Sequence, residues 1–157
     1  MSKIKENKQQ IWLEKFDCFS IIGKDSKRFL NGITTGNIVD SNINVLKTCW
    51  LSPNGILKSL LEINPLENKL EVIVLVGNTI ETREYFNDII FPSDDVSLSD
   101  TFLINRFQEV DEINSWRINQ PIFYKDEDKE YGFNSNNLNL MNTNDLQLWK
   151  INQAIPS

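Results

Sequence analysis

The stretch from 43 to 76 constrains this chain more than any other. It holds three apolar runs of strand length, "INVLKTCWL" (43–51), "ILKSLLEI" (56–63) and "KLEVIVLV" (69–76), parted only by "SPNG" and "NPLEN". Spacers this short leave no room for a crossover helix, so consecutive runs must pair antiparallel. Pro53 presets φ, and Gly55 admits a left-handed residue, which marks the first spacer as a hairpin turn. The last run is almost wholly apolar and reads as a central strand buried on both faces.

Other elements gather around this meander. "FDCFSII" (16–22) reads as a strand ended by Gly23. Asp25 is the expected N-cap of a short helix that turns Phe29 and Leu30 inward, with Gly32 placed to stop it. Asn78, with Glu81 three positions on, forms a capping-box pattern. The helix it opens carries Tyr85, Phe86, Ile89 and Ile90 on one side and ends before Pro92. "DVSLSD" and "TFLINRFQEV" read as two further strands. After Val110 the pattern weakens to a strand broken at Pro121, a charged turn in "KDEDKEYG", and a short helix from Thr143 to Pro156. The expected fold is α+β, an antiparallel or mixed sheet with helices packed on one face. Its expected organisation is a polar segment over 1–15, a core over 16–110 and a second, smaller α+β segment over 111–157.

Composition excludes several functions. The chain of 157 residues contains no histidine, which argues against a triad hydrolase or a His-bound zinc site. A net charge of -6 without a basic stripe disfavours direct nucleic-acid binding, and Lys24, Lys27 and Arg28 read as a solvated helix face. "KDEDKE" lacks the spacing and central glycine of a calcium loop. The longest apolar run is too short to span a membrane, and "MSKIKENKQQ" is no secretory signal, so a cytoplasmic protein is expected. In that compartment Cys18 and Cys49 are expected as reduced thiols. The asparagine-rich 134–144 reads as a polar loop.

With these landmarks in order, the chain resembles the folate-binding family of the glycine-cleavage T-protein and its YgfZ-type relatives. "IIGKDSKRFLNGITTGNI" is similar to the family's G-x-D-A-x-x-F-L-Q-G-x-x-T-x-D-V, "LSPNGILKSLLEI" to its glycine-led hairpin strand, and "LWKINQAIP" to its L-R-I-x-x-G-I-P. The resemblance implies the family's N-terminal fold and a cleft taking tetrahydrofolate or a derivative. It places Phe16, Asn37 and Ser59 at that site: Phe16 where some YgfZ-type proteins carry a tryptophan, Asn37 where an aspartate is common, and Ser59 four positions after the hairpin glycine. Leu146 stands at the position of a second such tryptophan, with Trp149 one helical turn away.

In the aminomethyltransferase branch the position of Ser59 holds an acidic catalytic residue. A serine cannot supply a carboxylate, so the resemblance leans toward the YgfZ branch and away from an independent enzyme. That branch implies folate as ligand, iron–sulfur proteins as partners and an indirect link to tRNA modification, with no membrane role. The branch's K-G-C-[FY]-x-G-Q-[ED] motif is absent, and neither cysteine matches it. Either the chain is the N-terminal part of a longer protein or it is a reduced relative. A folate-dependent aminomethyltransferase and an interaction domain that has lost folate remain the alternatives. Thr34, Thr35 and Asn37 either bond a ligand, hold the hairpin or satisfy turn backbone. Trp50 is expected in the core.

Overall fold

A computed structural model of the chain describes residues 10–36, 44–110 and 120–127. In chain order these form β1 (Gln10–Ile22), α1 (Ser26–Ile33), β2 (Leu46–Leu51), β3 (Leu57–Pro65), β4 (Lys69–Val76), α2 (Thr79–Asp88), β5 (Ser97–Leu98), β6 (Phe102–Val110) and β7 (Ile122–Tyr124). The strands make one sheet in the order β2-β3-β4-β1-β6-β7, with β5 pairing β1. The meander is antiparallel throughout, with Trp50 opposite Ser59 and Ile63 opposite Val72. Val72 lies in turn opposite Phe19 of β1. The fold class is therefore the α+β sheet that the spacing implies.

Strand alternation sorts the core. Trp50, Leu61, Ile63, Leu70, Val72, Val74, Phe19 and Ile21 share one cluster with Leu30 of α1 and Phe86 of α2, so both helices cover the same face. Phe86 is fully buried and meets Phe19, Phe29 and Trp50 edge-on at centroid distances of 5.8, 6.4 and 5.9 Å. The alternate row, including Cys18, Ile73, Glu62 and Glu71, is buried as well. Its carboxylates have partners, Lys47 at 3.9 Å from Glu62 and the Asn64 amide at 3.1 Å from Glu71. A buried charge without such a partner would be costly.

Local expectations fare unevenly. The turn forms as the sequence implies: Gly55 has φ 79, and the Gly55 N–H donates to the Ser52 carbonyl at 2.8 Å. Asn78 caps α2, its side chain accepting from the Glu81 N–H at 3.0 Å. The first strand runs six residues further back than the FDCFSII motif, to Gln10. Asp25 takes the N-cap position of α1 as expected but makes no side-chain cap bond, because its carboxylate instead accepts the Asp95 N–H at 2.9 Å and faces Arg28 at 3.4 Å. Gly32 does not stop the helix, which continues to Ile33 and closes through Thr34, whose N–H and hydroxyl both donate to the Leu30 carbonyl.

Cys18 and Cys49 form no disulfide among the described residues. They lie on strands three steps apart in the sheet, roughly 14 Å at ordinary strand spacing and well past disulfide reach. The polar N-terminal residues before Gln10, Asn37, the 134–144 tract and the terminal helix with Leu146 and Trp149 lie outside the described residues.

The described residues fall into two compact units, Phe16–Ile104 and the segments that precede and follow it. In the latter, Asp126 meets Lys15 at 2.7 Å and accepts from the Asn105 amide at 2.7 Å. The Arg106 guanidinium lies 3.9 Å from the Trp12 ring centroid.

Candidate functional site

Antiparallel pairing of β1 with β4 sets Ile22 opposite Lys69. This brings the G-K-D-S segment after β1 beside the β3–β4 turn, 45 positions on in sequence from Lys24 to Lys69. Ile22, Gly23, Lys24, Ser26, Lys27 and the stretch from Leu66 to Leu70 line a cleft of about 430 Å³ there. Three lysines face one carboxylate, Glu67, in this lining. Among the described residues Lys24, Lys27 and Lys69 form no ion pair. The Ser26 hydroxyl donates to the Gly23 carbonyl at 2.7 Å, and the Asp25 carboxylate makes no cap hydrogen bond to α1. The three lysines make this a basic cleft. In a chain of net charge -6 such a patch concentrates anions locally.

The loop after α1 docks on the hairpin. The Thr35 N–H donates to the Cys49 carbonyl and its hydroxyl accepts the Cys49 N–H, both at 3.1 Å. The Gly36 N–H donates to the Thr48 hydroxyl at 2.6 Å. One residue so satisfies both outward backbone groups of Cys49 on an edge strand of the sheet. Of the three roles open to Thr34 and Thr35, the Thr35 hydroxyl holds the hairpin and the Thr34 hydroxyl satisfies the Leu30 carbonyl. Burial raises the Cys49 thiol pKa, partly offset by its contact with Thr35.

Of the site residues implied by resemblance, Asn37 lies outside the described residues. Phe16 is buried, with 7% of its surface exposed. Ser59 is 1% exposed and lies 2.7 Å from the Thr82 hydroxyl on α2. Gly77, with φ 125, also lies close, and a Cβ there would come within 2.6 Å of the Ser59 oxygen. In this arrangement Ser59 ties the hairpin to α2 and presents no open face to a ligand. Lys69 was not visible as a site residue, and Lys24 and Lys27 read as solvent-facing. Only the pairing of distant strands reveals the group. Trp50 is buried, as its strand position implies.

No helix among the described residues is long and apolar enough to cross a membrane. No protein-family model matches the chain. No curated protein matches it. Among solved structures, glycine cleavage system aminomethyltransferase T from Bartonella henselae is similar, with a TM-score of 0.54 and 10% identity over 64% of this chain. The match spans 29% of that neighbour's length. At this identity the likeness is one of fold alone, to a part of the aminomethyltransferase.

Proposed function

We propose that this chain is a folate-binding protein of the YgfZ kind, taking tetrahydrofolate or a derivative without performing one-carbon transfer on its own. The observation that carries the reading is the lysine-lined cleft on the G-K-D-S segment of an aminomethyltransferase-like fold. A reduced folate ends in a glutamate tail, and carboxylates suit three ammonium groups that form no ion pair among the described residues. Lys24, Lys27 and Lys69 would hold that tail, while the chemistry a reduced folate supplies is the carriage of a one-carbon unit. Phe16, Asn37 and Ser59 enter through the resemblance, and Ser59 acts by positioning α2 through Thr82. With a serine at that position the chain brings no carboxylate there to move a proton. By the same resemblance the role extends to upkeep of iron–sulfur enzymes, including those that modify tRNA.

Titration of the purified chain with tetrahydrofolate and with folinic acid, followed by tryptophan fluorescence and calorimetry, tests the reading. Saturable binding that weakens about tenfold on replacing Lys24 and Lys69 by glutamate is expected. A folded chain that binds neither compound overturns it. That result would favour a second reading, a partner-binding domain without folate, which the burial of Ser59 supports.

A further inference from the structure

A second cleft lies at the other end of the hairpin. Glu81, Glu84, Tyr85 and Asp88 recur at i, i+3, i+4 and i+7, and so share one face of α2. With Trp50, Ser52 and Pro53 near the end of β2 and Lys58 near the start of β3, they line about 370 Å³. The Tyr85 ring stacks on Trp50 at 4.5 Å with 26° between planes, and Tyr85 is 40% exposed, leaving its outer side open. Trp50 is only 6% exposed, yet its indole N–H donates to no acceptor among the described residues. Nor is that nitrogen sealed from solvent. The N–H therefore keeps some solvent access, and Trp50 lines the cleft.

These groups are poorly served by the chain itself. None of Glu81, Glu84 and Asp88 forms an ion pair among the described residues. Asp88 sits at the carboxyl end of α2, where a negative charge opposes the helix dipole. Nor do the three converge: no group of three acidic, cysteine or histidine side chains among the described residues is placed to hold a metal ion. The cleft thus offers dispersed carboxylates, an open aromatic face, and two donors, the Trp50 N–H and the Lys58 ammonium. A complementary ligand brings a flat cation together with carbonyl oxygens.

We propose that this cleft binds an arginine side chain presented in an extended segment of a partner protein. The guanidinium stacks on Tyr85 and donates to Glu84 and Asp88, while carbonyls of the peptide accept from Trp50 and Lys58. Guanidinium is favoured over ammonium because it is planar, stacks on aromatic rings and donates in a fork to carboxylates. Leu51, Ile56 and Leu57, all exposed on the hairpin flanking the cleft residues, offer apolar surface to the methylene stem. The site is separate from the lysine-lined cleft and stands whether or not folate binds there.

The test is a two-dimensional ¹⁵N–¹H NMR titration of the whole chain with a blocked Gly-Arg-Gly peptide and its lysine and citrulline counterparts. Trp50→Phe assigns the relevant indole signal. A saturable shift of that signal is expected with arginine, with about tenfold weaker binding for lysine and citrulline. Glu84→Gln with Asp88→Asn, both on exposed positions, should weaken arginine binding about tenfold or more while leaving the spectrum folded. An unmoved Trp50 signal, equal binding of citrulline or lysine, or indifference to the double substitution overturns the proposal.

Discussion

The Ser59–Thr82 contact allows a prediction with a worked sign. The two hydroxyls are 2.7 Å apart, and Thr82 also donates to the Asn78 carbonyl at 2.7 Å. A hydroxyl has one proton, so Thr82 is the acceptor and Ser59 the donor. Ser59→Ala then removes a donor and strands nothing, costing about 1 kcal/mol. Thr82→Val leaves the Ser59 O–H, 1% exposed, without an acceptor, and should cost about 2 kcal/mol. With both changed, no polar group is left orphaned, and the loss should be about 1.5 kcal/mol, half the sum of the singles. Urea unfolding of the four proteins measures the coupling, expected at about 1.5 kcal/mol. Additivity within about 0.5 kcal/mol would refute the reasoning, because it would mean that the hydroxyls do not bond. The same series bears on function: a Ser59→Ala chain that keeps its stability but loses folate would put the hydroxyl on the ligand.

Further outcomes follow from other contacts. Phe86→Ala should cost about 3–5 kcal/mol, since the fully buried ring anchors α2 to the sheet, and urea unfolding reads the loss. Gly77→Ala should destabilise by about 1–3 kcal/mol, because φ 125 disfavours a side chain and the new Cβ meets Ser59 and the Lys58 carbonyl. The Asn105 amide, and then Lys15, hold the Asp126 carboxyl below its ordinary 3.8. Its contribution is present above that value and lost as pH falls through the lowered one, so Asn105→Ala should raise the Asp126 titration midpoint measured by NMR. Burial holds Cys49 above its ordinary 9.0, so its contribution is present below that value and lost as pH rises through the raised one. Thr35→Val, which removes the opposing contact, should shift the pH profile of iodoacetamide labelling still higher.

Several structural statements were legible in the sequence because they rest on neighbours along the chain. The short spacers allow only antiparallel pairing of β2, β3 and β4, and Gly55 and Asn78 do the work their residue types suit. Asp25 takes the N-cap position that the sequence implies, but its carboxylate makes no cap bond, because the fold brings a competing donor close: the Asp95 N–H, from 70 positions away. Gly32 misled because helix ends depend on what satisfies the last carbonyls, and Thr34 does so two residues later.

What the sequence determined by itself is the meander and its turns, the two helices, and the exclusion of histidine chemistry. Each is a matter of residue type and short spacing. Tertiary structure alone decided which side chains meet. It joined Lys69 to Lys24 across the β1–β4 pairing, gave the Ser59 hydroxyl to Thr82, and laid Tyr85 on Trp50 to open a second cleft. Clefts are assembled from side chains far apart in sequence, and local propensity carries no information about such meetings until strand register and helix docking set them.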